Sequence, residues 1–219
     1  MNGRLRLRYS KTGRAKYISH LDLMAAMQRA LLRAGLELKY SEGFNPHPYL
    51  SVALPLPVGS SSVCELMDIG MASDVQPGGI REQINAVLPE GIEVLEVYTP
   101  ERKYSYIAWV EIRGILYYDA GAPAYAAKRL MKRFAEESIV ISKKTKRGES
   151  DIDIAPFVRD VCFNDDGEVA MAARLSAQNP SITAENLMSA LNGGYGMLMP
   201  DFYDLSRIEV FDKDMKVFR

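Results

Sequence analysis

The chain has little cysteine, histidine or tryptophan: among 219 residues there are two cysteines, two histidines and one tryptophan. Cys64 and Cys162 stand far apart in strand-like surroundings. Two distant thiols provide no disulfide framework and no CxxC pair. They also fall short of the cysteine set that holds an iron–sulfur cluster. The expectation is that both are small, buried, reduced thiols of a cytoplasmic protein. No apolar run approaches the roughly 20 residues that cross a bilayer. MNGRLRLRYS has basic residues with no apolar stretch behind them, so it does not read as a secretory signal. Walker and GxGxxG loops are absent as well, which removes the usual phosphate cradles of nucleotide-dependent enzymes.

What is present describes a globular chain with enough apolar residues for a substantial core. Its formal net charge of −1 conceals strong local imbalance. Arg4, Arg6, Arg8, Lys11, Arg14, Lys16, Arg29, Arg33 and Lys39 face only Asp22 and Glu37 in the first 40 residues. From 42 to 100 the sign reverses, with Arg81 the single basic residue. Lys128 to Arg147 is basic again. Basic blocks brought together by folding would form the footprint of a polyanion. A solvated helix face is the plain alternative for the second block.

Arg4 to Tyr9 alternates strictly, which predicts a half-buried strand with Leu5, Leu7 and Tyr9 on one face and three arginines on the other. Ala15 to Ile18 reads as its continuation after a turn. Ser19 and Asp22 predict a helix start, and Gly35 its end. Strands follow at 36–40, 50–54 and 62–70, a helix carries Ile80, Ile84, Val87 and Leu88, and 92–98 closes the set. The order β-α-β-β-α-β then begins again: strand 106–116, helix 123–137, strands 139–142 and 169–175, a helix capped by Thr183, and strand 207–211. A further strand between 152 and 162 is less sharply marked. The expected fold is α+β, tandem ferredoxin-like, with antiparallel sheets, helices on one face and halves at 1–100 and 101–219.

Three places carry candidate chemistry. In such a sheet Arg4, Arg6 and Arg8 stand on the open face, where neighbouring like charges call for carboxylates such as Glu65 or Glu93, or for a bound anion. The loop SEGFNPHP fixes His47 between two prolines behind Phe44, which suits ligand contact. His20 lies at the first helix start. Should the loop fold over that helix end, His20, Asp22 and His47 would form a set able to bind a metal or act as an acid–base pair. No metal is assigned from sequence. The run Lys143 to Arg147, followed by Glu149, Asp151 and Asp153, reads as a hairpin tip.

The segment RLRLRYSKTGRAKYISHLDLMAAMQRALLRAGLELKYSEGFNPHPYLSVALPLPVGSSSVCELMDI resembles the opening of the radical-SAM-linked family, with SHLDL and GFNPHP…LPLPVG its most specific marks. KKTKRGESDIDIAPFV resembles a weaker second block of that family. Its members occur in bacteria fused to, or encoded beside, radical SAM proteins, often near genes of RNA metabolism. The resemblance therefore implies a partner that carries the iron–sulfur cluster and S-adenosylmethionine, neither of which this chain holds. It implies no catalytic residue. A fold-level likeness to CRISPR repeat-processing endoribonucleases, and a fainter one to pseudouridine synthases through Asp22, keeps RNA-acting enzymes open.

The resulting expectation is an accessory protein binding RNA of the tRNA or rRNA class, not DNA and not a membrane. Arg4, Arg6, Arg8, Arg14 and Lys16 would reach phosphates, Phe44 and Tyr49 would stack or pack, and His47 would make a polar contact from the loop, with Asn45 also among the RNA-binding candidates. The alternatives are an RNA-acting enzyme using His20 and His47, and a protein-interaction module without RNA.

Overall fold

The computed structural model describes residues 3–145 and 148–219. It is a mixed α+β chain that divides into two compact units, residues 1–106 with Arg219 and residues 107–218.

In the first unit β1 (Arg4–Lys11) lies between β3 (Ser61–Gly70) and β4 (Ile92–Tyr98), with β2 (Leu50–Val52) outside β3. Each pairing is antiparallel. The strand order is thus β4-β1-β3-β2. Leu5, Leu7 and Tyr9 are buried, as their alternation predicts, against Leu23, Met27 and Leu31 of α1 (His20–Arg33) and Ile80 and Ile84 of α2 (Ile80–Asn85). Full burial of each large aliphatic side chain stabilises by about 1.5–3 kcal/mol.

Local sequence sets the limits of α1. Ser19 Oγ accepts the Asp22 N–H at 3.1 Å. At the other end Gly35 takes φ +76°, so Leu36 N–H reaches Leu31 O and Gly35 N–H reaches Leu32 O. Those two bonds satisfy carbonyls that the helix end would otherwise orphan. The turn expected after β1 is a 3₁₀ turn, Gly13–Tyr17, and it takes up most of Ala15 to Ile18, the stretch expected to continue the strand. Buried Lys11 secures it by donating to the carbonyls of Lys16 and Ile18, each at 3.2 Å. The expected strand at 36–40 is reduced to single bridges at Leu38 and Tyr40.

In the second unit the order is β10 (Phe202–Phe211), β5 (Trp109–Tyr117), β9 (Val169–Ser176) and β8 (Val158–Asn164), all antiparallel. Its helices are α3 (Ala126–Phe134) and α4 (Ala184–Ser189), the latter started by a reciprocal Thr183–Asn186 capping box. The segment expected to supply the second sheet strand, 139–142, departs from that role. It forms β6 (Val140–Thr145), which pairs only with β7 (Gly148–Asp153) in a separate hairpin. β8 takes the sheet edge. Lys146 and Arg147 of the expected basic tip lie outside the described residues. Cys64 is buried, whereas Cys162, expected to be buried, is exposed on edge strand β8. Among the described residues no helix is long and apolar enough to cross a membrane.

Candidate nucleic-acid interface

Arg4, Arg6 and Arg8 do share one face of β1, but that face is not uniformly open. Asp68 sits directly opposite Arg6 across the β1–β3 ladder. Arg6 Nε donates to Asp68 Oδ1 at 2.6 Å and Nη2 to Oδ2 at 3.1 Å. The same Nη2 donates to the carbonyl of Arg102 at 3.0 Å, and the guanidinium lies 4.4 Å from the centre of the Tyr104 ring. Tyr104 OH donates to Ser51 O at 3.2 Å. A strap around residues 102–104 therefore covers Arg6, whose side chain has no exposed surface. Burial alone would lower the Arg6 pKa; the hydrogen bond and charge of Asp68 outweigh it and leave a net rise. Burial, with Asp68 adding to it, pushes the Tyr104 phenol far up. As placed, Arg6 has no route to a phosphate, which corrects the open-face expectation for this residue.

The flanking arginines differ. Arg4 also pairs with Asp68, yet half its side chain remains exposed. Arg8 donates to Glu96 Oε1 at 3.0 Å, and Arg219 approaches the other oxygen of that carboxylate at 3.6 Å. Asp68 and Glu96 are carboxylates that bond to these arginines, and neither is among those the sequence puts forward.

The SEGFNPHP loop is locked at its neck. Ser41 N–H donates to His47 O at 2.8 Å, and His47 N–H donates to Ser41 Oγ at 3.1 Å. His47 Nδ1 lies 3.0 Å from Ser41 Oγ and 3.3 Å from Asn45 O. Its ring thereby closes the loop on this nitrogen. Beyond the neck Phe44 is fully exposed, and Asn45 is exposed beside it. The tied loop thus presents an uncovered aromatic face at its tip.

Beneath the loop, backbone bonds among Lys39, Tyr49 and Gly70 hold Lys39 Nζ 5.8 Å from the Tyr49 ring centre. Arg4, Lys39, Tyr49, Ser51, Asp68 and Gly70 line a cleft of about 370 Å³. Arg4 and Tyr49 belong to the sequence-derived set; Lys39, Ser51, Asp68 and Gly70 do not. A lysine between two isolated bridges and a glycine closing a strand give no local sign of function.

The remaining candidates gather at the start of α1. Arg14 and His20 are exposed and Lys16 is half-buried, its Nζ 5.4 Å from the exposed Tyr17 ring. Asp22 is engaged in the cap, accepting from Ser19 Oγ at 2.7 Å. Among the described residues no group of three or more His, Cys, Asp and Glu side chains could hold a metal ion, so His20, Asp22 and His47 do not form the metal set that convergence would have given.

No curated protein matches this chain. A family model does, over residues 4–186, a span that takes in the arginine strand, the locked loop and the cleft. The chain belongs to a family of uncharacterised proteins conserved in bacteria (DUF2344).

Proposed function

We propose that this is a cytoplasmic RNA-binding accessory protein that presents an RNA of the tRNA or rRNA class to a radical SAM partner. The partner supplies the iron–sulfur cluster and S-adenosylmethionine. The observation that carries the RNA reading is Phe44: a fully exposed ring on a loop tied at its neck, beside a cleft with Arg4, Lys39 and Tyr49. Aromatic faces next to cations are how proteins hold unpaired bases and their phosphates. Arg14 and Lys16 would extend the phosphate track, while Arg6 stays with the strap. His47 serves as a clamp, and Asn45 offers polar contact from the loop. The partner assignment rests on the resemblance of the SHLDL and GFNPHP…LPLPVG segments. Each unit is read as one ferredoxin-like half, a reading supported by the shared order in which the last and third strands flank the first.

Filter binding of bacterial small RNA across a salt series tests the proposal. Affinity should fall by about 0.7 log unit per log unit of salt for each phosphate contacted on a single strand. Phe44→Ala should weaken binding by about 1–3 kcal/mol if one base stacks there. Binding that is absent, or indifferent to both salt and Phe44, overturns it.

One observation favours a second reading, a protein-interaction module without RNA. Tyr17, Leu21 and Val58 are 63%, 78% and 62% exposed, and Gly59 N–H donates to Lys16 O at 2.8 Å, joining their segments. Co-purification of a partner that survives nuclease treatment and is lost in Leu21→Glu would favour this reading.

A further inference from the structure

Gly70 ends β3, and three side chains surround it. Arg4 is its partner across the ladder. A β-carbon at Gly70 would lie 2.9 Å from the Tyr49 β-carbon and 3.5 Å from that of Lys39. The missing side chain is therefore what lets an aromatic ring and a cation stand together over the strand end. Leu50 and Ser51 pair with Ile69 and Asp68, one and two positions before Gly70 in β3. The result is a concave site with a backbone floor and walls of Arg4, Lys39 and Tyr49. At about 370 Å³ it falls at the small end of the roughly 300–1,000 Å³ typical of ligand pockets.

The charges of this site do not balance. Among the described residues Asp68 is the one carboxylate lining the cleft, and it is shared by Arg4 and the buried Arg6. Arg6 lies behind the lining and its bidentate bonds balance Asp68, so Arg4 and Lys39, the two cations of the lining itself, stand as an excess of two positive charges. A phosphodiester within a strand carries one negative charge. A phosphate monoester carries about 1.5 to 2 at neutral pH, with three acceptor oxygens. The monoester matches the excess; the diester leaves part of it uncompensated.

We infer that this cleft binds a nucleotide bearing a phosphate monoester, with Lys39 and Arg4 on the phosphate and the Tyr49 face against the base or sugar. Such a group is offered by a phosphorylated RNA end or by a free nucleoside monophosphate. The inference rests on the RNA reading for the first source only. A ligand phosphate takes over the exposed side of Arg4, and Asp68 keeps its pair with Arg6, so occupancy requires no unpaired buried charge.

Fluorescence anisotropy on the full chain tests this, using one short oligoribonucleotide in 5′-phosphorylated, 3′-phosphorylated and unphosphorylated forms. Adenosine monophosphate and adenosine serve as competitors. One phosphorylated form should bind roughly tenfold or more tightly than the unphosphorylated one, the scale of one to two charge-assisted hydrogen bonds. Lys39→Gln should abolish that preference. Phe44→Ala should weaken all forms by the same factor and leave the preference intact. Oligonucleotide binding without regard to the end phosphate, and unchanged in Lys39→Gln, overturns the inference while leaving the RNA reading in place. Phosphate-dependent binding of the mononucleotide with no oligonucleotide binding supports the cleft and overturns the RNA reading. Failure of every ligand overturns both. The comparison of end forms uses the unaltered protein, so the test survives even if Lys39→Gln folds poorly.

Discussion

Removing the Asp68 carboxylate should unpair a guanidinium that water cannot reach. Arg6 has 0% of its side chain exposed and Asp68 3%, and two hydrogen bonds join them. Breaking such a pair from one side costs about 3–5 kcal/mol, because the remaining charge stays buried. Arg4 loses the same partner, but it is half exposed and its share is at most about 1 kcal/mol. For a domain whose whole stability is about 5–15 kcal/mol, Asp68→Ala is then a severe change. In urea, with a slope of about 1–3 kcal/mol per molar, the midpoint should fall by roughly 1 M or more. Far-UV circular dichroism follows the loss. The single tryptophan, Trp109, lies in the second unit, so its fluorescence reports that unit separately. The double variant Arg6→Met with Asp68→Leu removes both charges and should recover most of the loss. What it leaves missing is the Arg4 pair, at most about 1 kcal/mol, with the bond to Arg102 O and the contact with the Tyr104 ring, about 1–2 kcal/mol together. A loss below about 1 kcal/mol for Asp68→Ala, or a double variant no better than the single, would refute the buried pair.

Phe44→Ala, by contrast, should leave the urea midpoint unchanged to within about 0.5 kcal/mol of stability, since the ring touches no core; a larger loss in the same melt would show it packed. Gly114→Ala should unfold the second unit or displace β10, because a β-carbon there would overlap the carbonyl of Asp204; loss of the native Trp109 emission reads this out. Acid should weaken the second unit through Asp153 and Glu136. Backbone N–H bonds from Ile139 and Ala155 hold Asp153 below its usual 3.8, and the Tyr195 and Arg133 hydrogen bonds hold Glu136 below 4.5. Both pKa values are depressed on folding, so the stability they add is present above those usual values and is lost as pH falls through the folded ones. Asp153→Asn should flatten the pH dependence of the Trp109 transition below pH 4; an unaltered slope would remove this group from the account.

Much of the first unit was legible from short-range pattern. The alternation Leu5, Leu7, Tyr9 named the buried face of β1, and Ser19 and Gly35 named the limits of α1. Thr183 marked the start of α4. Each of these is settled by residues within a few positions, through side-chain period or a cap bond, so one sequence suffices. The second unit shows where that reach ends. The segment 139–142 has the composition of a sheet strand, and nothing local tells it to pair with 148–153 in a hairpin apart from the sheet.

The site divides along the same line. Sequence alone determined that three arginines share a face and that Phe44 sits on a proline-stiffened loop. Only the tertiary structure decided which arginine keeps solvent. Alternation assigns a face to a side chain but cannot say what later covers it, and the cover over Arg6 comes from Asp68 and from a strap nearly 100 positions away. Lys39, Tyr49 and Gly70 meet for the same reason. Their association is a matter of ladder register, and register follows from burying a whole face of the sheet rather than from any residue alone.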